Sequence, residues 1–345
     1  MSTLFSCEFK ALSLMNFIGS PIIKAKRSPT TGLMNIGALF DYACVNRIGY
    51  YFLHKLSERK MLSEEDHLYR KYVSEGERYR RILKAMVKLT RDLGGAGVDF
   101  AIFKSLRPYP STTVDIDTVL FEDYGKAYVS LRRRGYSLLG LGPETITLLD
   151  PSHTVGVDLY REISVSRIVY LDKGVLRKHV ALVETGEGFV RTLCREADIV
   201  AFCAHIAFKE HMFTLADYYT ILHHVINADP ALLKDIVEET SSVNALSITL
   251  TLVNTLHYLA HGSLVFTEYP LTLQALFEAT RLIRRGLKLP HKFHYITIAS
   301  TLTEKVVKDP YSRKSIAYQL SYLAKPKYLI EFVRGLRKHF KRETY

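Results

Sequence analysis

The amino-acid sequence predicts an α+β protein, in which a small mixed β-sheet lies between an N-terminal helical segment and a C-terminal all-helical domain. Apolar residues recur at helical spacing from residue 33 to 93 and again beyond residue 190. Between these parts the period falls to about two, as in strands. With 345 residues, 48% of them hydrophobic and 24% charged, the chain has the composition of a folded globular protein with room for two or three domains.

The N-terminal segment, residues 1–75, is predicted to be helical with one interruption. At "SEED", residues 63–66, Ser63 is expected to cap a new helix whose positive first turn holds the acidic residues. The clearest helix is "GERYRRILKAMVKLTRDLGG", residues 76–95. Its apolar side chains follow helical spacing, and its two final glycines end it.

The middle of the chain, residues 76–188, is predicted to hold the sheet. Two prolines mark the loop "KSLRPYPSTT" after the first strand, and Gly135 ends the helix that follows the second strand. The last strand carries Asp158 on the face opposite Val157 and Leu159. The predicted strands are "VDFAIF" (98–103), "VDIDTVLF" (114–121), "YSLLGL" (136–141), "TITLLD" (145–150) and "HTVGVDLYREI" (153–163).

Residues 189–345 are predicted to form helices that pack against the sheet, because no linker rich in serine or glycine separates the two parts. Residues 245–266 have no formal charge and are long enough to cross a bilayer. Their several polar side chains favour a buried helix, so no membrane span is expected. Four scattered cysteines, and no secretory signal pattern in residues 1–24, favour a cytoplasmic location.

The formal net charge of +12 is concentrated towards the C-terminus. Residues 281–292 hold five lysines and arginines and no acid, and residues 325–345 hold seven against Glu331 and Glu343. A basic region of this kind suits contact with nucleic acid, with the phosphates of a nucleotide or with an acidic membrane surface. A solvated helical face explains the same composition, and the sequence leaves both interpretations open.

The segment "STTVDIDTVLF", residues 111–121, places two like charges on one face of a predicted strand. Asp115 and Asp117 point the same way because alternate residues share a face, and their α-carbons lie about 6.6 Å apart. Their repulsion is on the order of 2–3 kcal/mol at an effective dielectric of about 20. With Asp158 from a later strand they form a group of three carboxylates, which suits Mg²⁺. An ordinary acidic strand face is the alternative.

Other kinds of site are not indicated. The thirteen histidines show neither HExxH nor Cys-His zinc spacing, so structural or surface roles are predicted for them. The sequence has no GxSxG elbow, no Walker loop and no dinucleotide fingerprint.

The motif around the aspartates resembles that of the nucleotidyltransferases of the polymerase-beta-like superfamily. The superfamily pattern is a hydrophobic residue, Gly, then Gly or Ser, and after a gap Asp-hydrophobic-Asp/Glu-hydrophobic. Here Phe103, Lys104 and Ser105 occupy the first three places, nine residues follow, and Asp115 and Asp117 come next. Lysine and serine therefore stand where glycine would let the backbone approach a phosphate closely.

Within that superfamily, the chain resembles an uncharacterised family with helices on either side of the core. "GVDFAIFKS", "RRRGYSLL", "GVDLYREI" and "FTLADYY" are similar to successive elements of that family, over about residues 40–260. Lysine is usual at position 104 in the family. Its arginine before the acidic pair is missing here, where Thr112 and Thr113 stand, and Arg107 is the nearest substitute.

The resemblance implies a nucleotidyltransferase that transfers a nucleoside monophosphate from an NTP, with ATP expected, to a hydroxyl of a protein, an RNA or a small molecule. Asp115 and Asp117 would bind Mg²⁺, as one or two ions, and Asp158 would complete the metal site and draw the proton from the acceptor. The triphosphate would be steadied by Lys104, Ser105 and Arg107. A catalytically inactive core that binds RNA or protein is the alternative.

Overall fold

A seven-stranded mixed β-sheet forms the middle layer of the protein. The computed structural model describes residues 5–23, 35–142, 144–165, 168–266 and 268–323. Two short strand pairs, β6–β7 and β10–β11, lie outside the main sheet. The strands are β1 (Phe100–Ile102), β2 (Asp115–Leu120), β3 (Ser137–Leu141), β4 (Thr145–Leu149), β5 (Gly156–Tyr160), β6 (Ile163–Val165), β7 (Ile168–Leu171), β8 (Val180–Thr185), β9 (Gly188–Leu193), β10 (Met212–Phe213) and β11 (His291–Lys292).

Helices precede the sheet, cross it and follow it. A π-helical turn, Ile206–Glu210, continues directly from one of them. The helices are α1 (Phe5–Ile18), α2 (Ile36–Val45), α3 (Gly49–Glu58), α4 (His67–Gly94), α5 (Tyr124–Arg133), α6 (Lys173–Arg177), α7 (Arg195–His205), α8 (Leu215–Val225), α9 (Pro230–Glu239), α10 (Val243–His261), α11 (Leu273–Arg284), α12 (Tyr295–Lys308) and α13 (Pro310–Leu323).

The sheet has the strand order β3-β4-β5-β2-β1-β9-β8. Strand β2 pairs parallel with β5 and antiparallel with β1, and β1 pairs parallel with β9. The start of β2 therefore lies beside the end of β1, so the residues that leave β1 and those that open β2 meet at one end of the sheet.

Each face of the sheet has its own apolar core. On one face, Ile116 of β2 and Val157 of β5 pack with residues of α4 and α5. On the other face, Val119 and Tyr160 pack with residues of α1 to α3 and of the C-terminal helices. Because strand residues alternate between faces, Asp115, Asp117 and Asp158 belong to the second face, under the helices from both ends of the chain.

The predicted α+β fold, with a mixed sheet and helical segments before and after it, is confirmed. The five predicted strands correspond to β1 to β5, and Asp158 lies opposite Val157 and Leu159 as expected. The C-terminal helices pack against the sheet in one continuous core. The domain boundaries at 75/76 and 188/189 remain a prediction, and strand β9 begins at the second of them. The basic segment 325–345 lies outside the described residues.

Two details differ from the sequence-based expectation. Asp66, not Ser63, caps α4, and its carboxylate accepts the Leu68 N–H at 2.9 Å. Both residue types are good helix caps, so the local sequence does not decide between them. The sheet also extends beyond the predicted strands through the β8–β9 hairpin, which was not expected. Leu182 and Phe189 of this hairpin are exposed, so its apolar residues do not alternate cleanly.

The uncharged stretch 245–266 lies largely in helix α10, most of whose side chains are buried in the core. Its hydroxyl groups are satisfied locally, since Thr249 and Thr251 donate to the backbone carbonyls of Ala245 and Ser247. Within the part of the chain that the structure describes, no helix combines the length and the hydrophobicity needed to cross a membrane. The expected buried helix is thus confirmed.

The turn that leads into β5 is built on one carboxylate. Asp150 is buried and accepts the backbone N–H groups of Ser152, Thr154 and Val155 at 3.0, 2.6 and 2.7 Å. Hydrogen bonds to a charged acceptor are stronger than neutral ones. This turn fixes the start of the strand that carries Asp158.

Replacing Asp150 by alanine should lower the free energy of unfolding by about 3 kcal/mol, because three backbone donors lose a charged acceptor. Urea unfolding of the native protein and of Asp150→Ala measures the loss. Asp235→Ala, at an exposed position on α9, is the control and should change stability by less than about 0.5 kcal/mol. Equal losses in the two variants would contradict the structural role of Asp150.

Candidate metal and nucleotide site

Three aspartate side chains converge on one face of the sheet. Asp115 and Asp117 stand on β2 and Asp158 on β5, and Asp117 lies directly opposite Asp158. One carboxylate oxygen of each residue lies within 4.8 Å of the other two. Among the described residues, no further group of three His, Cys, Asp or Glu side chains has ligand atoms this close together. The structure therefore brings together the three carboxylates that the sequence singled out.

The neighbouring strand fixes the orientation of Asp158. Thr147 of β4 lies opposite Asp158 in the antiparallel pair. Its hydroxyl donates to Asp158 Oδ1 at 2.5 Å. The flanking residues Val157 and Leu159 are buried in the core of the opposite face. The strand cannot turn over without exposing them and burying the carboxylate, so Asp158 is held towards its two partners.

Lys104 supplies a positive charge inside this cluster. Its ammonium group lies 2.8 Å from Asp117 Oδ2, and each of the two side chains is only 8% exposed. The Lys104 backbone has a φ of 49°, in the left-handed region that costs a residue other than glycine roughly 1–2 kcal/mol. The chain thus adopts, at a lysine, a backbone conformation that favours glycine, and it places a cationic side chain at this point of the site.

Two residues hold the turn after β1. The Lys104 N–H donates to Asp198 Oδ1 of α7 at 2.7 Å. The Ser105 hydroxyl accepts the Asp117 N–H at 2.8 Å and donates to the Phe103 carbonyl at 3.1 Å. Ser105 is buried and its hydroxyl joins the two strands. Its part in nucleotide binding stays a prediction.

Arg107 points towards helix α8. Its guanidinium donates to the Tyr109 hydroxyl at 2.9 Å and to Thr220 Oγ1 at 3.5 Å. No hydrogen bond or ion pair joins it to the three carboxylates. With Asp198 and His224 it lines a separate cavity of about 780 Å³ beside the turn. The structure therefore does not bring Arg107 to the carboxylates, and its predicted role with the triphosphate stays untested.

A second ammonium group, which the sequence did not indicate, lies at the cluster. Lys209 stands on the π-helical turn Ile206–Glu210, and its ammonium donates to the Tyr160 hydroxyl at 3.0 Å. Its charge acts on both Asp117 and Asp158. Turns of π-helix are frequent at functional sites. Here the turn carries a lysine from the helical layer to the acidic face of the sheet.

The π-helical turn is tied to the N-terminal helices. Glu210 pairs with Arg47, which follows α2, at 3.2 Å, and with His205 Nε2 at 3.3 Å. Burial and the charge of Lys104 lower the pKa of His205 to about 4. His205 is therefore neutral at pH 7, and its contact with Glu210 is a hydrogen bond between a neutral ring and a carboxylate.

The three carboxyl groups have different pKa values, so they ionise over different pH ranges. Burial and the neighbouring Asp117 raise the pKa of Asp115 to about 6. Burial also raises the pKa of Asp158, despite the hydrogen bond from Thr147. Burial opposes ionisation of Asp117 as well, but the charge and hydrogen bond of Lys104 hold its pKa below the usual range. As the pH falls, Asp115 is protonated well before Asp117.

The donor set fits a hard divalent cation. Mg²⁺ takes oxygen ligands, commonly one or two protein carboxylates together with phosphate oxygens. Three converging carboxylates provide such ligands, and Asp115 and Asp158, whose pKa values are raised, gain most from an added positive charge. A cation bound to Asp117 would have to share this residue with Lys104 or replace its ammonium there.

Sequence reasoning missed several residues of the site. Asp198 and Lys209 follow the main sheet in the sequence, and no fixed spacing along the chain connects them to the acidic strand β2. One signal was available, because Lys209 follows the apolar run 199–208, in which His205 is the most polar residue. A lysine at the end of a buried helix needs a partner. Thr147 becomes recognisable only once the β4–β5 register is known.

Comparisons with known proteins are sparse. No protein-family model matches the sequence, and no curated protein matches it. Among solved structures, the chain is similar to an antigenic nucleotidyltransferase-like protein from Paracoccidioides brasiliensis, at 12% sequence identity and a TM-score of 0.27, over 70% of this chain and 93% of that one. A similarity at this level supports no functional conclusion. The function has to be inferred from the fold and the site of the chain itself.

The unequal pKa values predict how stability without metal depends on pH. A carboxyl group whose pKa is raised by folding stabilises the protein below its unfolded pKa, and this contribution is lost as the pH rises through the folded pKa. For Asp115 the loss falls between about pH 4 and about pH 6. Asp115→Asn stays neutral, so its free energy of unfolding should increase relative to that of the native protein as the pH rises from about 4 to about 7.

Asp117→Asn is the matched variant, and its stability relative to the native protein should change with pH in the opposite direction. The pKa of Asp117 is lowered by folding, so the native protein gains stability from this group as the pH rises towards its unfolded pKa, and the variant lacks the gain. Urea unfolding in EDTA at several pH values measures both differences. As the pH rises, the free energy of unfolding relative to that of the native protein should increase for Asp115→Asn and decrease for Asp117→Asn. A change in the same direction for both variants would contradict the proposed charge distribution.

Proposed function

We propose that the protein is a magnesium-dependent nucleotidyltransferase that transfers a nucleoside monophosphate from an NTP to a hydroxyl acceptor. The observation that carries the proposal is the convergence of Asp115, Asp117 and Asp158 from two parallel strands, with ligand oxygens within 4.8 Å of one another. Two ammonium groups, those of Lys104 and Lys209, lie at the same face. Clustered carboxylates beside lysines suit binding of a metal–triphosphate complex.

The charges of the site support a polyanionic substrate. Without metal, three carboxylates face two ammonium groups, which leaves a net charge of about −1 when all are ionised. A bound divalent cation would make this charge positive, and the negative charge of a triphosphate would compensate it. Mg²⁺, bound by Asp115, Asp117 and Asp158, would neutralise the charge that develops on the phosphate oxygens.

The residues of the chain would act by positioning and by proton transfer. Lys104 and Lys209 would hold phosphate oxygens, and Thr147 would keep Asp158 oriented towards the acceptor. Asp158 would accept the proton of the acceptor hydroxyl. A bond forms between the acceptor oxygen and the α-phosphorus, the bond to the β-phosphate oxygen breaks, and pyrophosphate leaves.

The nucleotide is expected to be ATP, and the acceptor a protein, an RNA or a small molecule. The basic segment 281–292, exposed at several of its residues, is suited to contact with the phosphates of an RNA acceptor. We also propose that the protein is located in the cytoplasm.

A catalytically inactive core that binds RNA or protein is the second candidate, and one observation favours it. The ammonium of Lys104 already neutralises Asp117, and the hydroxyl of Ser105 is engaged between two strands. Asp117 and Ser105 are thus satisfied without a ligand. Label transfer from NTP separates the two candidates.

Incubation with each α-labelled NTP, Mg²⁺ and a cell extract tests the proposal. The native protein should transfer label to an acceptor, and Asp117→Asn should reduce the rate by at least about 100-fold because a neutral amide replaces a negatively charged ligand of the metal. Asp158→Asn should reduce the rate of label transfer by a similar factor, and Asp235→Ala should transfer label at the rate of the native protein. Equal label transfer by native protein and Asp117→Asn, with both folded by circular dichroism, would refute the mechanism.

A further inference from the structure

The ammonium of Lys104 occupies a carboxylate oxygen that could otherwise bind a metal ion. It is 2.8 Å from Asp117 Oδ2 in a contact that is almost fully buried. A Mg²⁺ ion binds its oxygen ligands at about 2.0–2.1 Å and requires a nearly regular octahedral arrangement. A divalent cation bound at the same carboxylate oxygen would lie in close contact with the ammonium, and the two positive charges would repel each other. A metal ion that uses this oxygen therefore competes with Lys104 for Asp117.

The backbone and the side chain of Lys104 are held by different partners. Asp198 accepts the Lys104 N–H at 2.7 Å and so anchors the left-handed turn to helix α7. The side chain has several rotatable bonds, and the contact that holds the turn does not involve its ammonium. We therefore expect that the ammonium can leave Asp117, while the turn stays anchored, once its charge has a new partner.

Lys209 is not in the same position. Its ammonium is bound to the hydroxyl of Tyr160, and none of the three carboxylates lies within ion-pair distance of it. Lys209 adds positive charge near the cluster but does not occupy a ligand oxygen. The two lysines thus provide an internal comparison between a competing and a merely neighbouring charge.

We propose that Lys104 is the resident cation of the carboxylate cluster and a specificity-determining residue, which admits a divalent metal ion only together with a phosphate that takes over its ammonium group. Free metal must displace the lysine without compensation, so it binds weakly. A metal–nucleotide complex brings both the replacement cation and the replacement anion. Metal and nucleotide therefore bind cooperatively, and each strengthens the binding of the other by the same factor.

The inference rests on the nucleotide-binding half of the proposed function and not on transfer itself. Failure of label transfer would leave it untouched, because the test measures binding alone. Conversely, an active transferase that binds metal equally well with and without nucleotide would refute this inference and leave the proposed function in place.

Binding of Mn²⁺, followed by the electron paramagnetic resonance of the free ion, tests the proposal in the full chain. The native protein should bind Mn²⁺ alone weakly, and α,β-methylene-ATP should increase its affinity for Mn²⁺ by about tenfold or more, after subtraction of the Mn²⁺ that the analogue binds in solution without protein. Lys104→Met should bind Mn²⁺ alone about tenfold more tightly than the native protein, and the nucleotide analogue should then add less than about threefold. A general loss of structure would weaken metal binding and cannot produce this gain.

Three further variants sharpen the result. Lys104→Arg restores a cation and should return Mn²⁺ binding towards the native behaviour. Lys209→Met should increase the affinity for Mn²⁺ alone by less than Lys104→Met does, because Lys209 occupies no carboxylate. Lys234→Met, at an exposed position on α9, should leave it unchanged.

Lys104→Gly keeps the test valid if Lys104→Met folds poorly, since glycine adopts the left-handed turn without strain. Mn²⁺ alone should raise the thermal unfolding midpoint of Lys104→Gly by more than it raises that of the native protein. Mn²⁺ binding to Lys104→Met and Lys104→Gly that is no tighter than to the native protein would overturn the proposal. Absence of any effect of the nucleotide analogue on native Mn²⁺ binding would do the same.

Discussion

The site depends on negative charge that the strand register fixes within the sheet. β2 and β5 run parallel with Asp117 opposite Asp158, and Asp115 lies on the same face. The alternate residues Ile116, Val157 and Leu159 are locked in the core of the other face. Turning the strands over cannot relieve the repulsion between the carboxylates, because it would expose the apolar residues and bury the charged ones in the core of the other face. Their repulsion must be compensated where they stand.

The compensation links the sheet to the helical layers on that face. Lys104 faces Asp117 through its side chain, and its backbone is held by Asp198 of α7. Lys209 reaches the same face from the π-helical turn, which the pairing of Glu210 with Arg47 connects to the N-terminal helices. Both ends of the chain thus contribute to the electrostatic balance of three aspartates, and a site of this kind does not exist in the isolated sheet.

The fold was largely predictable because its signals are local. A change of period from 3.6 to 2 located the central strands, and the alternation along β5 placed Asp158 on the correct face. The β8–β9 hairpin was missed because its exposed Leu182 and Phe189 blur the alternation. The start of α4 was misplaced because Ser63 and Asp66 are both competent caps. In neither case does a single local pattern decide the outcome.

The sequence by itself determined that Asp115 and Asp117 share one face, since strand alternation is a property of neighbouring residues, and it singled out Asp158 and Lys104 as candidates. Only the tertiary structure decided what compensates the charge. It directed Lys104 to Asp117, turned Arg107 towards Thr220 of α8 and brought Lys209 from a distant helix to Tyr160. The physical reason is that Coulomb interactions depend on distance through space and on burial, and neither quantity can be read from separation along the chain.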